Sequence, residues 1–378
     1  MNSPFARPIF GLLLLAMGAS PVAAQSPLAA QKWQIQYFYD HAKSAFVIGD
    51  MQFPSAKRGV AVGVIRDGKR EDPTSVVTSD GGLHWQTVPL KEIPVSLFFL
   101  NENLGWMVTT KGLWQTIEAG RSWTKLPKVP AEIYRVLFVD ESNGWAIGPR
   151  KTALETHDGG KTWNPLSAAA AVDGEDLNYS AYTWITFATP RVGLITGWNM
   201  PPRRFGPPLP SWVDPETAMQ QRDTPHLSYA LGTADGGAKW TPSASSLFGI
   251  IARVRFAPEG RGLGLTQYSE TFRYPSEVYS IEWPAGTPRT VYRDAKFAVS
   301  DIWLASDGTA YLAGTTVRGR LRNVIPETVQ VLTSRDLEHW IPIPVDYHAE
   351  ATAVILAASG DDHLWMATDT GMILQLVR

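Results

Sequence analysis

The chain has 378 residues and no cysteine. Disulfides, thiolate zinc sites, iron–sulfur clusters and a cysteine nucleophile are therefore excluded. Charge of one sign is also not in excess, because 34 Lys and Arg stand against 36 Asp and Glu, a net charge of −2. A protein so close to neutral lacks the basic footprint that nucleic acids require, so we expect no nucleic-acid partner.

Long hydrophobic runs are missing too, apart from one near the N-terminus. Arg7 precedes an apolar run at residues 9–17, and Val-Ala-Ala at residues 22–24 fits the cleavage pattern of a secretory signal peptide. The run is too short to cross about 30 Å of hydrocarbon. We expect a signal peptide at residues 1–24 and a periplasmic or secreted domain at residues 25–378 that does not span a membrane.

What the sequence has in abundance is tryptophan, 15 residues, and a repeated octet accounts for several of them. The copies are TSDGGLHW (78–85), THDGGKTW (156–163) and TADGGAKW (233–240), with a weaker one at 116–123 and an eroded one at 333–340. Asp-Gly-Gly is typical of a tight hairpin, because glycine adopts positive φ at little cost. The Thr and Asp side chains can bond backbone N–H groups inside such a turn.

These octets resemble the Asp-box, or bacterial neuraminidase repeat, of β-propellers. The box occurs in sialidases, in sortilin-type receptors and in the photosystem II stability/assembly factor family, which the consecutive compact copies resemble most. In those families it is a peripheral hairpin between the third and fourth strands of a blade. The resemblance implies a structural and not a catalytic role for Thr78, Asp80, Gly82, Trp85, Thr116, Gly120, Trp123, Thr156, Asp158, Gly160, Trp163, Thr233, Asp235, Gly237, Trp240 and Trp340.

A second repeat consists of a small residue, a large apolar residue and a short β-like run. We assign its seven rows to the second strands of the blades, and their large residues are Phe46, Trp106, Trp145, Leu194, Leu263, Tyr311 and Trp365. A blade of four strands needs about 40–50 residues, so seven rows predict an all-β fold, a single seven-bladed propeller. The last row is followed by too few strands for a full blade, and residues 32–35 can supply the fourth strand, which would close the ring.

The largest departure from the repeat is a proline-rich insertion in blade four, residues 199–228. Loops of this length in compact domains are usually functional or disordered, and this one carries groups that are costly to expose without a partner. Those groups are Arg203, Arg204, Phe205 and Trp212. We interpret the insertion as a partner-contacting loop, and Trp198 and Trp212 as the tryptophans that no repeat position explains. Shorter insertions are expected at 52–70 and 315–326.

Three further arginines are candidate partner-binding residues. Arg253 and Arg255 alternate on one strand, so both lie on the same face, and one of them could point into the central channel. Photosystem assembly factors are similar in having an arginine-rich surface that contacts their client, although paired structural arginines are the plain alternative. Arg273 belongs to Phe-Arg-Tyr-Pro at 272–275, which resembles the sialidase element whose arginine binds a sugar carboxylate.

Two functions of different class stay open. The first is an exported, non-catalytic scaffold or assembly factor that binds another exported or membrane protein, as the resemblance implies. The second is a sialidase-like glycoside hydrolase or glycan-binding module, which would need further arginines such as Arg135 and an acid such as Asp50 or Asp67. No spacing requires that constellation. The sequence has no His-x-x-x-His or Gly-x-Ser-x-Gly motif, so we expect no catalytic residues, cofactor or metal.

Overall fold

A computed structural model describes residues 31–126, 132–171, 176–201, 225–257, 260–269, 272–283, 286–317, 327–346, 348–360 and 363–377. Within these ranges the strands form seven antiparallel sheets, arranged as the blades of one propeller. The predicted all-β, seven-bladed fold is thus confirmed. The predicted signal peptide and Arg203, Arg204, Phe205 and Trp212 lie outside the described residues.

The first four blades follow the closing strand β1 (Lys32–Phe38). Blade one consists of β2 (Ser44–Gln52), β3 (Gly59–Asp67), β4 (Arg70–Thr78) and β5 (Gln86–Pro89). Blade two consists of β6 (Pro94–Phe99), β7 (Gly105–Thr109), β8 (Gly112–Thr116) and β9 (Thr124–Lys125). Blade three consists of β10 (Arg135–Phe138), β11 (Gly144–Ile147), β12 (Ala153–Thr156) and β13 (Asn164–Pro165). The short 3₁₀ helices η1 (Ser167–Ala170) and η2 (Leu177–Tyr179) lead to blade four, β14 (Ser180–Phe187), β15 (Gly193–Asn199), β16 (His226–Thr233) and β17 (Thr241–Leu247).

The remaining blades follow the same four-strand order. Blade five consists of β18 (Ile250–Phe256), β19 (Arg261–Gln267), β20 (Ser276–Glu282) and β21 (Arg289–Arg293). Blade six consists of β22 (Phe297–Leu304), β23 (Ala310–Thr316), β24 (Glu327–Ser334) and β25 (Ile341–Ile343), with the short β26 (Glu350–Ala351) added to β24. Blade seven consists of β27 (Val354–Ser359), β28 (His363–Thr368) and β29 (Met372–Val377), and β1 pairs with β29 as its fourth strand.

The ring is closed at its centre and at its seam. The first strand of each blade contacts the first strands of both neighbouring blades, including β2 against β27, so these strands surround a central channel. At the seam, β1 pairs antiparallel with β29, with Trp33 opposite Leu376. Trp33 is buried against residues of blades six and seven. The predicted closure by the N-terminal strand is therefore confirmed, and it covers the edge that β29 would otherwise expose.

A six-residue spacing links the first and second strands of five blades. A phenylalanine ends or directly follows the first strand and a glycine begins the second, where a Cβ would overlap the phenylalanine ring. The pairs are Phe53 with Gly59, Phe99 with Gly105, Phe138 with Gly144, Phe187 with Gly193 and Phe256 with Gly262. A second-strand tryptophan then stacks on the phenylalanine of the next blade, as Trp106 does on Phe138 with ring centroids 3.7 Å apart. The same stack joins blade seven to blade one, through Trp365 and Phe53.

Blade one departs from the predicted rows. The run that contains Phe46 is the innermost strand β2, not the second strand, and the expected insertion at 52–70 contains the second strand β3. The large residue that follows Gly59 is Val60, buried at 1% exposure. The row pattern was misleading because an innermost strand near the channel is also apolar on alternate residues. The Phe53–Gly59 spacing identifies the second strand.

Candidate functional site

The octet hairpins lie at the end of the propeller where each third strand finishes. In the hairpin at 156–163, the Thr156 hydroxyl donates to the Asp158 carboxylate at 2.9 Å and accepts the Gly160 N–H at 3.0 Å. Asp158 in turn accepts the Thr162 N–H at 2.9 Å. The hairpins that begin at Thr78 and Thr233 repeat these bonds. Each side chain therefore replaces hydrogen bonds that the tight turn cannot make within its own backbone.

The two weaker octets form related turns with local changes. In the hairpin at 116–123, the Thr116 hydroxyl accepts the Gly120 N–H at 3.0 Å, while Glu118 takes the place of the aspartate and accepts from the Ser122 hydroxyl. Ala119 adopts the left-handed conformation that glycine has elsewhere, with φ 55°.

In the last hairpin the cap is Ser334, not Thr333. The Ser334 hydroxyl donates to Asp336 and accepts the Leu337 N–H at 2.9 Å, whereas the Thr333 hydroxyl donates to the Ala310 carbonyl. Counted from its capping hydroxyl, this turn is therefore one residue shorter than those of the other octets. The acid that looked displaced in the sequence keeps its normal distance from the capping hydroxyl. Trp340 donates its indole N–H to the Val291 carbonyl of blade five at 3.1 Å.

The central channel is lined by one position of the first strand in every blade, and the residue type at that position varies around the ring. In blades one to five it lies three residues before the phenylalanine at the end of the first strand. From blade one to blade seven these residues are Asp50, Ser96, Arg135, Trp184, Arg253, Asp301 and Ile355. Six of the seven, all but Ser96, border a cavity of about 140 Å³, together with Arg255 two positions after Arg253. We call Asp50, Arg135, Trp184, Arg253, Arg255 and Asp301 the channel cluster.

Trp184 is the centre of the channel cluster. The guanidinium carbons of three arginines lie 4.4 Å (Arg135), 4.7 Å (Arg253) and 5.1 Å (Arg255) from its ring centroid. The indole N–H donates to the Val254 carbonyl of blade five at 2.7 Å, which fixes the plane of the ring. Cation–π attraction contributes on the order of 0.5–2 kcal/mol per desolvated pair, so the ring offsets part of the repulsion among the arginines.

The two aspartates of the cluster are bound chiefly by backbone N–H groups. Asp50 accepts from Met51 and Leu97, both at 2.9 Å, and therefore ties blade one to blade two. Asp301 accepts from Ile302 at 2.9 Å and Leu356 at 3.0 Å and ties blade six to blade seven. Both carboxylates are buried, at 5% and 0% exposure. Groups so completely bonded serve as structural anchors and are poor proton donors or acceptors for a substrate.

The ion pairs of the cluster are longer than these hydrogen bonds. Arg135 Nη1 lies 3.6 Å from Asp50 Oδ2, while Arg253 Nε and Arg255 Nη2 lie 3.5 Å and 3.6 Å from the Asp301 oxygens. Burial lowers the pKa of Arg135 to about 10; Asp50 opposes this shift, and Arg253 and Arg255 add to it. Arg135 therefore stays protonated at neutral pH, in a neighbourhood that has more positive than negative charge.

The structure brings some of the predicted site residues together and separates others. Arg253 and Arg255 both face the channel, whereas we expected only one of them to do so. Arg135 joins them from blade three. Sequence reasoning missed Trp184 as a channel residue and singled out Trp198, which is half-buried in β15 opposite Ser228. The available signal was position, since Trp184 stands three residues before Phe187 just as Arg135 stands three before Phe138.

Arg273 does not belong to the channel cluster. It is exposed in the turn between β19 and β20, with its guanidinium 5.4 Å from the Tyr274 ring. Nearby, the hydroxyls of Tyr268 and Tyr279 donate to Glu277 at 2.7 and 2.9 Å. Burial raises the pKa of Glu277, but the hydrogen bonds from these and other hydroxyls outweigh it, so the pKa is lowered and the carboxylate stays ionised. This tyrosine–glutamate contact lies on the second and third strands, away from the channel.

At one end of the propeller the second and third strands of each blade are joined, and each first strand begins there. We call this end the hairpin face; it is opposite the end that carries the octet hairpins. Five large apolar side chains, between 38% and 46% exposed, lie at this face on blades three to five: Tyr134, Leu177, Tyr179, Met200 and Phe248. The Met200 N–H donates to the Tyr179 carbonyl at 2.8 Å, so these two residues are neighbours. Asn199 ends β15 and His226 begins β16 at the hairpin face, so both ends of the predicted insertion at 199–228 belong to strands.

In the parts of the chain that the structure describes, no helix is long and apolar enough to cross a membrane. Over the same residues, no group of three or more His, Asp or Glu side chains is placed to hold a metal ion.

Known proteins resemble this chain in sequence over its middle and in fold over nearly all of it. A family model described as photosynthesis system II assembly factor YCF48 matches residues 125–198. The chloroplast photosystem II stability/assembly factor HCF136 of Arabidopsis thaliana is 28% identical over 184 residues, 48% of this chain and 37% of the relative. The chain thus matches little more than a third of that relative's length.

Two solved structures extend the likeness in fold. YCF48 bound to D1 peptide shares 15% identity and a TM-score of 0.57, over 93% of this chain and 96% of the other. A GH74 xyloglucanase from Xanthomonas campestris shares 11% identity and a TM-score of 0.59, over 91% of this chain and 53% of the enzyme. The predicted resemblance is confirmed: the chain is a β-propeller similar to the photosystem II stability/assembly factors.

Proposed function

We propose that this chain, a propeller similar to the photosystem II stability/assembly factors, is an exported, non-catalytic scaffold that binds a segment of another exported or membrane protein. Export is inferred from the signal-peptide pattern at residues 1–24. A similar protein, YCF48, has been solved with a D1 peptide bound, which supports a protein partner for this chain. The observation that carries the proposal is the group of exposed apolar side chains on the hairpin face.

These five side chains belong to three consecutive blades, whereas the more exposed Phe38, Leu83, Ile117 and Ile341 lie on other blades or at the octet end. Tyr179 and Met200 are neighbours, and Phe248 packs on Phe272 with ring centroids 5.5 Å apart on the adjoining blade. Scattered exposed apolar residues are normal on any protein, but a group of them on one face is typical of an interaction surface. The hairpin face is also where the predicted insertion at 199–228 leaves and rejoins the blade.

A strained turn beside this group points the same way. Arg150 and Lys151, in the turn between β11 and β12, have φ of 56° and 58° although neither is glycine. Left-handed conformations cost non-glycine residues about 1–3 kcal/mol and occur preferentially at functional sites. The Arg150 N–H donates to the Ser180 carbonyl, which places this basic turn next to Tyr179. A partner segment with apolar and acidic residues would match both features.

The hydrolase alternative finds less support in the described residues. Glycoside hydrolysis needs two carboxyl groups free to act on either side of the scissile bond. In the channel, Asp50 and Asp301 are both bonded to backbone N–H groups of adjacent blades. Arg273, the residue of the sialidase-like tetrapeptide, lies in an exposed turn outside the channel. The likeness to the xyloglucanase is one of fold alone.

The test is a pull-down with the purified mature chain as bait for the exported fraction of its own cell. The variant Tyr179→Ala/Met200→Ala should recover the captured protein at least tenfold less well than the wild type. Leu83→Ala/Ile117→Ala is the matched control, because it removes two equally apolar and more exposed side chains at the octet end. Equal losses in both variants would contradict the proposal. So would capture of no protein together with hydrolysis of a fluorogenic sialoside that Arg273→Ala abolishes.

A further inference from the structure

The channel cluster carries an unbalanced positive charge. Three guanidinium groups, from Arg135, Arg253 and Arg255, face two carboxylates, from Asp50 and Asp301, and no other described residue that borders the cavity is charged. The cavity therefore has one positive charge in excess. Charges removed from bulk water are unfavourable unless they are paired, so a cavity of this kind attracts an anion.

Arg253 Nη1 donates to the Ala252 carbonyl at 2.8 Å, but the contacts of the three arginines with the aspartates are longer than hydrogen bonds of normal length. Their distances to the aspartates are 3.5–3.6 Å, and the short hydrogen bonds of the aspartates come from the backbone instead. Arg255 Nε is buried and has no hydrogen-bond partner among the described residues. A guanidinium presents five N–H donors in a planar fork that matches the two oxygens of a carboxylate. The arginines are thus placed to receive a third acceptor.

The size and walls of the cavity restrict what that acceptor can be. A volume of about 140 Å³ holds several water molecules and therefore accommodates a small group with a short stem. Leu97, Phe98, Leu137 and Ile355 provide apolar walls beside the charged groups. A phosphate, with about two negative charges at neutral pH, would exceed the single charge to be neutralised. A carboxylate on an aliphatic stem satisfies both the charge and the walls.

We infer that the channel cluster is a binding site for a single carboxylate group, held by the guanidinium groups of Arg255 and its two neighbours above the ring of Trp184. The carboxylate can come from a free short-chain acid or from the C-terminus of a polypeptide, which alone among protein carboxylates enters a narrow channel without a chain on both sides. The inference does not depend on the proposed scaffold function, because the site would bind a free acid even if no protein bound the hairpin face.

The experiment is isothermal titration of the mature chain at low ionic strength with four probes. These are butyrate, its neutral isostere butyramide, inorganic phosphate, and a short apolar peptide prepared with a free or an amidated C-terminus. We expect butyrate or the free-acid peptide to bind at least tenfold more tightly than its amide. Tighter binding of the peptide would identify a C-terminus as the source, and tighter binding of butyrate a free acid.

Two variants test the residues. Arg255→Met should weaken carboxylate binding at least tenfold, while Arg273→Met, which removes an exposed arginine outside the channel, should leave it unchanged. If Arg255→Met fails to fold, Arg255→Lys keeps the charge, loses the fork and should weaken binding severalfold. Equal binding of butyrate and butyramide, binding of phosphate alone, absence of binding by every probe, or full affinity in the Arg255 variants would overturn the inference.

Discussion

The octet hairpins and the channel cluster both occupy corresponding positions of successive blades, yet they differ in how those positions are filled. In the hairpins the same residue types recur, with Thr156, Asp158 and Gly160 in one blade matched by Thr78, Asp80 and Gly82 in another. In the channel an aspartate, a serine, an arginine and a tryptophan succeed one another from blade one to blade four. A residue type that recurs from blade to blade indicates a contact made within a single blade.

The reach of the contacts explains the contrast. A hairpin bond joins residues two to four positions apart, so it can be duplicated with the blade that contains it. The channel bonds join residues far apart in the chain, such as Asp50 to Leu97 and Asp301 to Leu356. All the first strands meet at one axis, where they form one shared environment. Each position there is filled to suit its neighbours from other blades, as Arg135 lies beside Asp50 and Arg253 beside Asp301.

The largest loss of stability is expected when the closure of the ring is broken, because both the octet hairpins and the channel cluster depend on it. Trp33 is 3% exposed in β1, which pairs with β29. Trp33→Ala should lower the free energy of unfolding by about 3–5 kcal/mol, since it empties a large buried site, and removal of residues up to Phe38 should prevent stable folding. Urea unfolding followed by circular dichroism measures the first change. Lys32→Ala, an exposed neighbour on the same strand, is the control and should change stability little.

A normal melting curve after removal of β1 would contradict the closure, even if Trp33→Ala destabilises the full chain. It would mean that blade seven is stable with three strands and that the tryptophan acts only through local packing.

A smaller loss of stability is expected from a change in an octet hairpin, and it should leave binding in the channel unchanged. Thr156→Val keeps the shape of the side chain but leaves the buried Gly160 N–H without its acceptor, which costs about 1–3 kcal/mol. Thr162→Val removes an exposed hydroxyl of the same turn and should cost less than about 0.5 kcal/mol. Neither variant should alter carboxylate binding in the channel, as titration with butyrate would show. Equal losses of stability in the two variants would mean that the buried bond is not the important one.

Most of the fold could be predicted from the sequence, because its contacts are local and repeated. Seven rows and five octets were enough for the number of blades and for the closing strand. The errors arose where a segment resembles the repeat but occupies a different position along the blade. Blade one has an apolar innermost strand that imitates a second strand, and the last octet moves its cap from Thr333 to Ser334.

The channel cluster could be predicted only in part. Arg253 and Arg255 share a strand, so their common face follows from the two-residue period of a strand. Arg135 and Trp184 come from two other blades, and no spacing between them and Arg253 reveals that they meet. The closure of the ring brings them together, and it acts over distances in the chain that no motif covers. The exposed side chains of the hairpin face depend on turn geometry, which is equally hidden in the sequence.

The smallest expected effect is a dependence of stability on pH that comes from the hairpins. Backbone and side-chain hydrogen bonds from His84 lower the pKa of Asp80 to about 2, whereas the pKa of an aspartate in an unfolded chain is about 3.9. Because the folded state has the lower pKa, this stabilisation is fully present above about pH 4 and is lost as the pH falls towards 2. Asp80→Asn should therefore flatten the decline of the melting temperature over this range. The exposure of the turn limits the size of the change. Parallel curves for the variant and the wild type would show that Asp80 does not contribute to acid sensitivity and that the decline comes from other groups.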